Sequence, residues 1–502
     1  MGLASHGTHG GVTPPSVCAV GLIIRGFGWT LGPRFGVASL GMRSVVVAWF
    51  RRDLRLHDNP AWAEASAADG AVALVVLEPA LLSAAGPWRR EAYLAALRGL
   101  DQSLRHAGGA LWAVEGDPAE AVASVAVETG ACKVVVNADT TRWSAARDRT
   151  VGETLEAIGV PLVPHWGTVV QPPGAVLTRA GTLSKVFTPF YRRWSQLPLR
   201  PAAQPGRAKI SKPPGGLGID DVLADASQRA WSEHEALDRL DGWLARVDRY
   251  NDDRDLPAVE GTSGISEALH FGLLSPRHAA ERVGDATPGR QGFVRQLAWR
   301  DWYTHLTAEH HDIDQRNLRP EFDRIDWATG SQADDDFAAW RDGMTGYPIV
   351  DAAMRGLAAT GRMHNRLRMI AASFLVKDLL IDWRRGERWF RRMLRDGDIA
   401  QNAGNWQWVA GTGPDAAPYF RIFNPVTQSR RFDSQGGYLR SLVPELAGLS
   451  DRDVHAPWEA TPLDLSAAGV VLGVDYPAPI VDHAEARERT LAAYSEALGK
   501  RG

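Results

Sequence analysis

Cysteine is nearly absent from this chain of 502 residues, in which only Cys18 and Cys132 occur. These two residues exclude a disulfide framework and offer no zinc-ligand spacing, so we predict no metal site and a reducing, cytoplasmic location. Long apolar runs are also absent, which excludes a membrane span and a membrane partner. No G-x-G-x-x-G motif follows the first strand, so a classical dinucleotide site is not predicted.

Tryptophan is the residue type in clear excess, with 19 copies against 9 tyrosines and 14 phenylalanines. The hydrophobic content of 45% and the charged content of 23% are ordinary for a globular protein. The net charge of −3 argues against nucleic acid as a partner, but residues 361–440 hold 14 lysines and arginines against 7 aspartates and glutamates. A local excess of this kind can bind phosphates, although solvated helix faces also gather arginine.

The strand and helix patterns divide the chain into four segments. The first is Gly-rich without periodicity, and Met42 is the predicted native start. The second alternates short buried strands such as SVVVAWF and KVVVNAD with helices, which predicts an α/β domain with a parallel, Rossmann-like sheet. A Pro- and Gly-rich stretch follows, and then only helical spacing, which predicts a large all-α domain. The predicted segments are 1–43, a disordered or non-native extension; 44–175, the α/β domain; 176–230, an inter-domain linker; and 231–502, the helical domain.

The predicted helices include the following three stretches. Apolar residues recur at helical spacing over 91–106, Pro118–Thr129 and 366–380. The first two lie between predicted strands, and the third lies in the helical domain.

The segment 396–424, DGDIAQNAGNWQWVAGTGPDAAPYFRIFN, combines aspartates, asparagines and small residues with a Trp-x-Trp pair. Small residues let a large flat group approach the backbone, and carboxylates and amides can bind its polar edge. Trp406 and Trp408 indicate stacking or electron transfer, with core packing as the alternative. Arg368 and Asp396 are predicted to form a buried pair, because the rigid guanidinium fork suits a planar polar edge.

The segment EGTSGIS at 260–266 places three hydroxyl side chains around a glycine, just before a predicted helix. Hydroxyls and backbone N–H groups at a helix start suit a phosphate. The alternative, which is the more common use of such residues, is a helix-capping box.

Several long motifs together identify a family. RRDLRLHDNPAW, LAWRDWY, TGYPIVDAAMR, MHNRLRMI, ASFLVKDLLIDWRRGERWF, DGDIAQNAGNWQW and DAAPYFRIFNP occur in this order along the chain. They resemble the cryptochrome/photolyase family, and the resemblance is closest to class I cyclobutane pyrimidine dimer (CPD) photolyases. It implies an amino-terminal α/β antenna domain and a carboxyl-terminal helical domain that binds FAD, active as reduced FADH⁻.

The resemblance also implies roles for individual residues, and some residues have more than one. The implied FAD-binding residues are Tyr250, Thr262, Ser263, Gly264, Ile265, Ser266, Phe293, Arg300, Asn365, Arg368, Asp396, Asp398 and Asn402. The implied catalytic residues are Gln296, Trp299, Asn365, Met369, Asn402 and Trp408. The implied electron-transfer chain is Trp406, Trp383 and Trp327. The implied DNA-binding residues are Gln296, Arg300, Trp299, Asn365, Arg366, Arg421 and Trp408.

The implied activity is the light-driven splitting of CPDs in single- or double-stranded UV-damaged DNA, by electron transfer from excited FADH⁻ to a flipped-out dimer. Gln296 departs from the glutamate of many CPD photolyases and leaves a cryptochrome-type photosensor as an alternative. A (6-4) photolyase is a weaker alternative, because Asn365 and Met369 stand where the animal (6-4) enzymes have histidines.

The implied second chromophore is an antenna. Trp143 and Ser144 replace the Asn-Glu pair that is typical of folate-binding members, which lowers the expectation of methenyltetrahydrofolate. The Arg51-Arg52-Asp53 loop and the segment 184–190 favour 8-hydroxy-5-deazaflavin, and an antenna site without chromophore is a further alternative. We also expect a monomer.

Overall fold

The computed structural model describes residues 44–223, 228–416 and 418–499. The predicted amino-terminal extension, 1–43, lies outside the described residues. No helix within the described ranges is long and apolar enough to cross a membrane.

A parallel sheet forms the first part of the described chain. Its main strands are arranged in the order β3-β2-β1-β4-β5, and a two-residue strand, β6, pairs in parallel with β2. Strand order therefore reverses between β1 and β4, and the loops at their carboxyl ends border a crevice that binds ligands in sheets of this kind. The strands are β1 Val45–Phe50, β2 Gly70–Leu77, β3 Leu111–Glu115, β4 Lys133–Asn137, β5 Leu162–His165 and β6 Lys209–Ile210.

The two faces of the sheet are both buried, as expected for parallel strands. Along β1, Val47 and Trp49 pack under the helices that follow β3 and β4, in one apolar cluster. Val46, Ala48 and Phe50 belong to the opposite face, whose core continues without interruption into the helical part of the chain. The α/β domain with a Rossmann-like parallel sheet is thus confirmed.

Helices make up most of the remainder, and the predicted large helical domain is confirmed. The α-helices are α1 Pro60–Ser66, α2 Pro79–Ala84, α3 Pro87–His106, α4 Pro118–Thr129, α5 Arg142–Ala157, α6 Phe187–Trp194, α7 Ile219–Val222, α8 Glu233–Leu244, α9 Tyr250–Asp253, α10 Ser266–Phe271, α11 Pro276–Val283, α12 Pro288–Glu309, α13 Ser331–Asp342, α14 Pro348–Thr360, α15 Asn365–Ser373, α16 Trp383–Met393, α17 Ile399–Ala410, α18 Pro425–Phe432, α19 Gly437–Leu442, α20 Pro462–Ala468 and α21 His483–Ala497.

The segment predicted as a linker, 176–230, contains regular structure of its own. Helix α6 buries Phe187, Phe190 and Trp194, and strand β6 extends the sheet. Asp301, fully buried on α12, accepts hydrogen bonds from Trp194 Nε1 at 2.8 Å and from the backbone N–H of Gln171 at 2.8 Å. The segment is therefore fixed against the helix that carries several predicted site residues. Its limits as a linker stay a prediction.

Candidate functional site

Helix α17 is the centre of the predicted site. Asp398 caps it, because its Oδ1 accepts a hydrogen bond from the backbone N–H of Gln401 at 3.0 Å. Residues two apart on a helix point about 200° apart. Trp406 accordingly lies in the core against Phe390 and Trp340, with ring centroids 5.0 and 6.2 Å away, whereas Trp408 is only half-buried. The two members of the Trp-x-Trp pair therefore face different surroundings.

The carboxylates before α17 are held by arginines. Arg368 Nη2 donates to both oxygens of Asp396, at 3.0 and 2.9 Å, so the predicted pair is formed. Arg52, in the loop after β1, reaches Asp398 Oδ2 at 2.6 Å. Burial alone would raise the pKa of both carboxylates, but the neighbouring cations outweigh burial and hold each pKa below its usual range. Both side chains are consequently charged at neutral pH.

Asn402 has a fixed orientation. Its Nδ2 donates to the backbone oxygen and to Oε1 of Glu387, both at 2.9 Å. Glu387 is completely buried, and burial raises its pKa to about 7, against the opposing effects of Arg391 and Asn402. Because Nδ2 is committed to Glu387, the Asn402 amide oxygen is the atom left to face a ligand. No described residue donates a hydrogen bond to that oxygen.

The hydroxyl-rich segment before α10 does not form a capping box. Ile265 occupies the cap position of α10, and no side chain caps the helix. Gly264 adopts a positive φ of +63°, which a residue with a side chain rarely adopts. Thr262 is exposed and Ser263 half-buried, while the nearby Ser266 side chain contributes to holding the pKa of Asp396 below its usual range. The capping box is therefore not formed, and the phosphate interpretation stays a prediction.

Two aromatic residues predicted to bind FAD pack together nearby. Tyr250 and Phe293 are buried, with ring centroids 5.7 Å apart, and both contact Trp243. Arg300, also on α12, donates to the backbone oxygens of Thr168 at 2.5 Å and Leu269 at 3.3 Å. Arg300 thus joins the segment after β5 to the helix α10.

The three tryptophans predicted to transfer electrons differ in burial. Trp406 and Trp383 are buried, and Trp327 is half-buried. Trp383 Nε1 donates to Asn317 Oδ1 at 2.9 Å. Gly386, one turn after Trp383 on α16, admits the Trp406 ring, since a Cβ at this glycine would lie 2.2 Å from the ring. Exposure therefore rises from Trp406 and Trp383 to Trp327, as an electron path to the surface requires.

The residues predicted to contact the lesion are more exposed. Trp299 is half-buried and stacks on Phe187, with centroids 3.6 Å apart and an interplanar angle of 12°. Gln296 Oε1 accepts a hydrogen bond from Arg254 at 3.4 Å. Asn365 is exposed, with its Nδ2 3.8 Å from the Met369 sulfur.

The two predicted DNA-binding arginines differ. Arg421 is exposed. Arg366 is instead held by Asp255, at 2.9 Å, and stacks over Phe432 with 4.3 Å to the ring centroid. To contact a phosphate, Arg366 must share its charge with Asp255.

Several residues of the site were not identified from the sequence. Glu387 orients Asn402, Arg52 pairs with Asp398, Phe187 covers one face of Trp299, and Arg254 contacts Gln296. The Arg- and Asp-rich loop after β1 was the one local signal for Arg52. Phe187 lies in the segment 184–190 predicted for the antenna, and Glu387 lies in a family motif, but neither signal indicated the contact that is observed, and Arg254 carries no local pattern.

Comparison with known proteins defines the class. Two protein-family models match, "DNA photolyase" over residues 46–207 and "FAD binding domain of DNA photolyase" over residues 293–496. A photolyase domain joined to an FAD-binding domain describes a flavoprotein of the light-dependent type. The Escherichia coli deoxyribodipyrimidine photo-lyase is 42% identical over 90% of this chain and 98% of its own length, and that of Agrobacterium fabrum is 40% identical over 90% and 97%. The chain belongs to the DNA photolyase family.

Solved structures agree with this assignment. A bacterial class III photolyase from Agrobacterium tumefaciens aligns with a TM-score of 0.84 at 37% identity, over 92% of this chain and 99% of its own. An archaeal photolyase from Sulfolobus tokodaii aligns with a TM-score of 0.79 at 30% identity, over 90% and 99%. The family and the fold predicted from the motifs are therefore confirmed, whereas membership of class I stays a prediction.

Proposed function

We propose that this protein is a light-driven DNA-repair enzyme that splits cyclobutane pyrimidine dimers. The observation that carries the proposal is the arrangement on α17, where a charged, fixed pocket edge at Asp398 and Asn402 is followed by a buried Trp406 and a half-buried Trp408. A flavin edge, an electron path and a stacking surface thereby meet on one helix. The relatives named deoxyribodipyrimidine photo-lyase support the same reaction.

The residues present fit FAD. Asp396 and Asp398 offer fixed acceptors, the Asn402 oxygen is free of donors within the described residues, and Gly264 turns the backbone beside the hydroxyls of Thr262 and Ser263 as a phosphate requires. Bound reduced FAD supplies the light-excited electron that opens the cyclobutane ring. Arg368 and Arg52 keep the two carboxylates ionised, Glu387 fixes the Asn402 amide, and the buried aromatic residues Tyr250 and Phe293 exclude water.

The lesion is proposed to enter on the side of Trp299, Trp408 and Gln296. A dimer within a duplex must be flipped out to reach a buried cofactor, and its poor stacking lowers the cost of flipping. Trp299 is stacked on Phe187 and is half-buried, so part of its ring is proposed to stack on the lesion. Gln296 is fixed by Arg254 and by its own Nε2, which donates to Gly292 O at 3.2 Å. Asn365 and Met369 border this side, and Arg421 and Arg366 are proposed to contact the DNA backbone.

An antenna chromophore is proposed in the crevice after β1 and β4. Trp143 is 40% exposed, and the Arg147 guanidinium lies 4.6 Å from its ring centroid, which forms a flat cationic surface. Ser144 is buried, and its Oγ accepts a hydrogen bond from Thr141 Oγ1 at 2.8 Å, while its backbone N–H donates to the same Thr141 Oγ1, which caps α5, at 3.2 Å. A hydroxyl committed to the helix start thus stands where folate-binding members have a carboxylate. These features support 8-hydroxy-5-deazaflavin over methenyltetrahydrofolate. The Sulfolobus tokodaii structure is described as holding two FAD molecules, which is a property of that protein. Mass spectrometry of the extracted chromophores identifies the antenna.

The decisive experiment illuminates the reduced, FAD-loaded protein with CPD-containing DNA and, in parallel, with DNA containing (6-4) lesions. We expect restoration of the CPD substrate alone. Loss of CPDs only in the light supports repair; intact CPDs under saturating light contradict it and favour the photosensor. Restoration of the (6-4) substrate alone makes the chain a (6-4) photolyase.

Gln296→Glu tests whether the amide at this position limits the yield of CPD repair. A charged acceptor in place of the amide strengthens a hydrogen bond by about 1 kcal/mol, so the CPD repair yield should rise about 5-fold at most. Asn251→Asp, a change on α9 whose side chain bonds only the backbone of Pro288 in the described structure, is the matched control and should leave the yield unchanged.

A further inference from the structure

The connection between α16 and α17, residues 394–398, carries the two flavin-edge carboxylates, and the sheet domain holds both this connection and the last turn of α16. Arg89, on α3, donates from Nη1 to the backbone oxygen of Arg391 and, at 3.2 Å, to that of Gly397. Gly86 lies so close that a Cβ would be 2.1 Å from the Arg392 oxygen. These backbone contacts leave the connection little freedom while the two domains remain docked.

Arg52 joins the same connection to the sheet through charge. Its guanidinium lies between Asp139, which follows β4, and Asp398, at 3.0 and 2.6 Å. The Arg52 cation thus links the carboxyl end of β4, where the strand order of the sheet reverses, to the residue that caps α17. Because Asp398 also caps the helix that carries Asn402 and Trp406, a shift of this carboxylate displaces the whole face of the site.

The loop after β1 also holds the opposite edge of the flavin site. The Leu54 N–H donates to the Phe271 oxygen at 3.0 Å, and Arg55 Nη1 donates to the Gly272 oxygen at 2.9 Å. Gly272 ends α10, and its φ of +70° together with a Cβ position 2.2 Å from the Arg52 oxygen admits only glycine there. Helix α10 begins at Ser266, in the proposed phosphate segment. A single loop of the sheet domain therefore contacts both edges.

We propose that Arg52 is a positioning residue for FAD, through which docking of the amino-terminal domain fixes the flavin-binding carboxylate Asp398. The proposal rests on the proposed function, which assigns Asp398 to the flavin edge. It gives the antenna domain a second role besides holding a chromophore, because the flavin pocket is complete only when that domain is docked.

If Arg52 positions Asp398 through its charge, removing that charge changes the pKa of Asp398. A contact that only stabilises the fold would not have this effect. Asp398 faces Arg52 from the β1 loop, His270 from α10 and Arg300 from α12, with Arg89 from α3 close to His270. Burial raises the pKa of Asp398, and Arg52 is the largest effect that lowers it. Burial, and then Arg52, also lower the pKa of His270 to about 3. Without Arg52 both pKa values rise, so Asp398 takes up its proton at a higher pH.

The experiment follows FAD release during acidification, by the recovery of flavin fluorescence, in the full-length holoprotein. We expect Arg52→Gln to shift the midpoint of release upward by about 1 pH unit, the lower end of the effect of a close opposite charge on a carboxylate. Arg52→Lys should restore most of the wild-type midpoint. Arg105→Gln is the matched control, since Arg105 pairs with Asp101 on its own helix α3 and with Asp220 on α7, and with no residue of the connection.

Asp139→Asn supplies a second test of opposite sign. It removes the competing carboxylate and leaves Arg52 to Asp398 alone, so the midpoint should move to lower pH. An unchanged midpoint in both Arg52→Gln and Asp139→Asn, with wild-type protein that retains FAD, overturns the positioning role and leaves the proposed function standing. Wild-type protein that binds no FAD overturns the proposed function instead. If Arg52→Gln does not fold, Asp139→Asn alone decides: a downward shift supports the proposal, and none refutes it.

Discussion

The proposed cofactor side and the proposed lesion side of the site at α17 are built differently. On the cofactor side Asp396, Asp398 and Asn402 are each fixed by a partner within 3.0 Å. On the lesion side Trp408 is half-buried and Arg421 is exposed. The first pattern suits a cofactor that stays bound, because its polar groups are already oriented and desolvated. The second suits DNA, which binds and leaves, and whose phosphates are attracted by solvated charges.

The largest effect is expected when a charge is removed from the cofactor side. Asp396→Asn leaves Arg368 without its carboxylate partner, and because the Arg368 side chain is 29% exposed, breaking this half-buried pair costs about 1 to 3 kcal/mol. We expect a purified protein nearly free of FAD, with a lower free energy of unfolding. The ratio of flavin to protein absorbance and urea unfolding measure the two effects. Asp342→Asn, in an exposed pair with Arg341, is the control, and equal FAD loss in both variants would contradict the assignment.

The next change tests the electron path without touching the pocket edge. Trp406→Phe removes the residue proposed to donate to the flavin, and we expect photoreduction to slow by at least about 10-fold, since one hopping site is lost and each factor of 10 corresponds to 1.36 kcal/mol of barrier. Repair by protein reduced beforehand should be unaffected. Transient absorption measures the first and lesion loss the second. Trp389→Phe, on the same helix as Trp383, is the control; equal slowing there would indicate general disturbance.

The pH dependence of the free energy of unfolding tests the environment of Glu387 on the cofactor side. Its folded pKa of about 7 lies above the ordinary value of 4.5, so burial favours its protonated form. Stability from this group is fully present below pH 4.5 and declines as pH rises to about 7, by about 3 kcal/mol in total. Glu387→Gln should lack this decline. The free energy of unfolding of both proteins, measured from pH 4.5 to 8, checks the difference; parallel curves would show that Glu387 titrates normally.

The smallest effect is expected on the lesion side. Arg421→Ala should weaken binding of CPD-containing DNA and reduce the slope of log K against log salt by about 1, because one phosphate contact releases about one counterion. Arg282→Ala is the control, since Arg282 is paired with Asp241 at 2.8 Å. Titrations at several salt concentrations measure the slope. An unchanged slope for Arg421→Ala would place this residue outside the DNA-binding surface.

Regular structure was predictable where local signals agreed. Helix α4 was predicted at Pro118–Thr129 and is observed there, because Asp117 caps its start and Gly130, with φ of 62°, ends it. The helix predicted over 366–380 instead ends at Ser373, where a π-helical turn, Phe374–Asp378, follows, and Leu380 adopts a φ of +54°. Tertiary contacts impose that interruption: buried Lys377 donates to the backbone oxygen of Ala410 at 2.8 Å.

The site was predictable as far as motifs reach. The motifs named Asp396, Asp398 and Asn402, and the structure brings all three beside α17. The partner of Asp396, Arg368, was predicted as well, but Glu387 and Arg52, which hold Asn402 and Asp398, were not predicted as their partners, because each belongs to a different element of the chain. Arg366 could not be recognised as paired either, since Asp255 lies far from it in sequence.

The sequence by itself determined the alternation of strands and helices and the family, and it predicted the polar and aromatic residues of the site. These follow from short-range periodicity and from long motifs, both of which are read along the chain. Only the tertiary structure decided that Arg52 meets Asp398 across 346 residues and that Phe187 covers one face of Trp299. Such contacts depend on how separate elements pack, because a side chain's partner is set by distance in space and not by position in the chain.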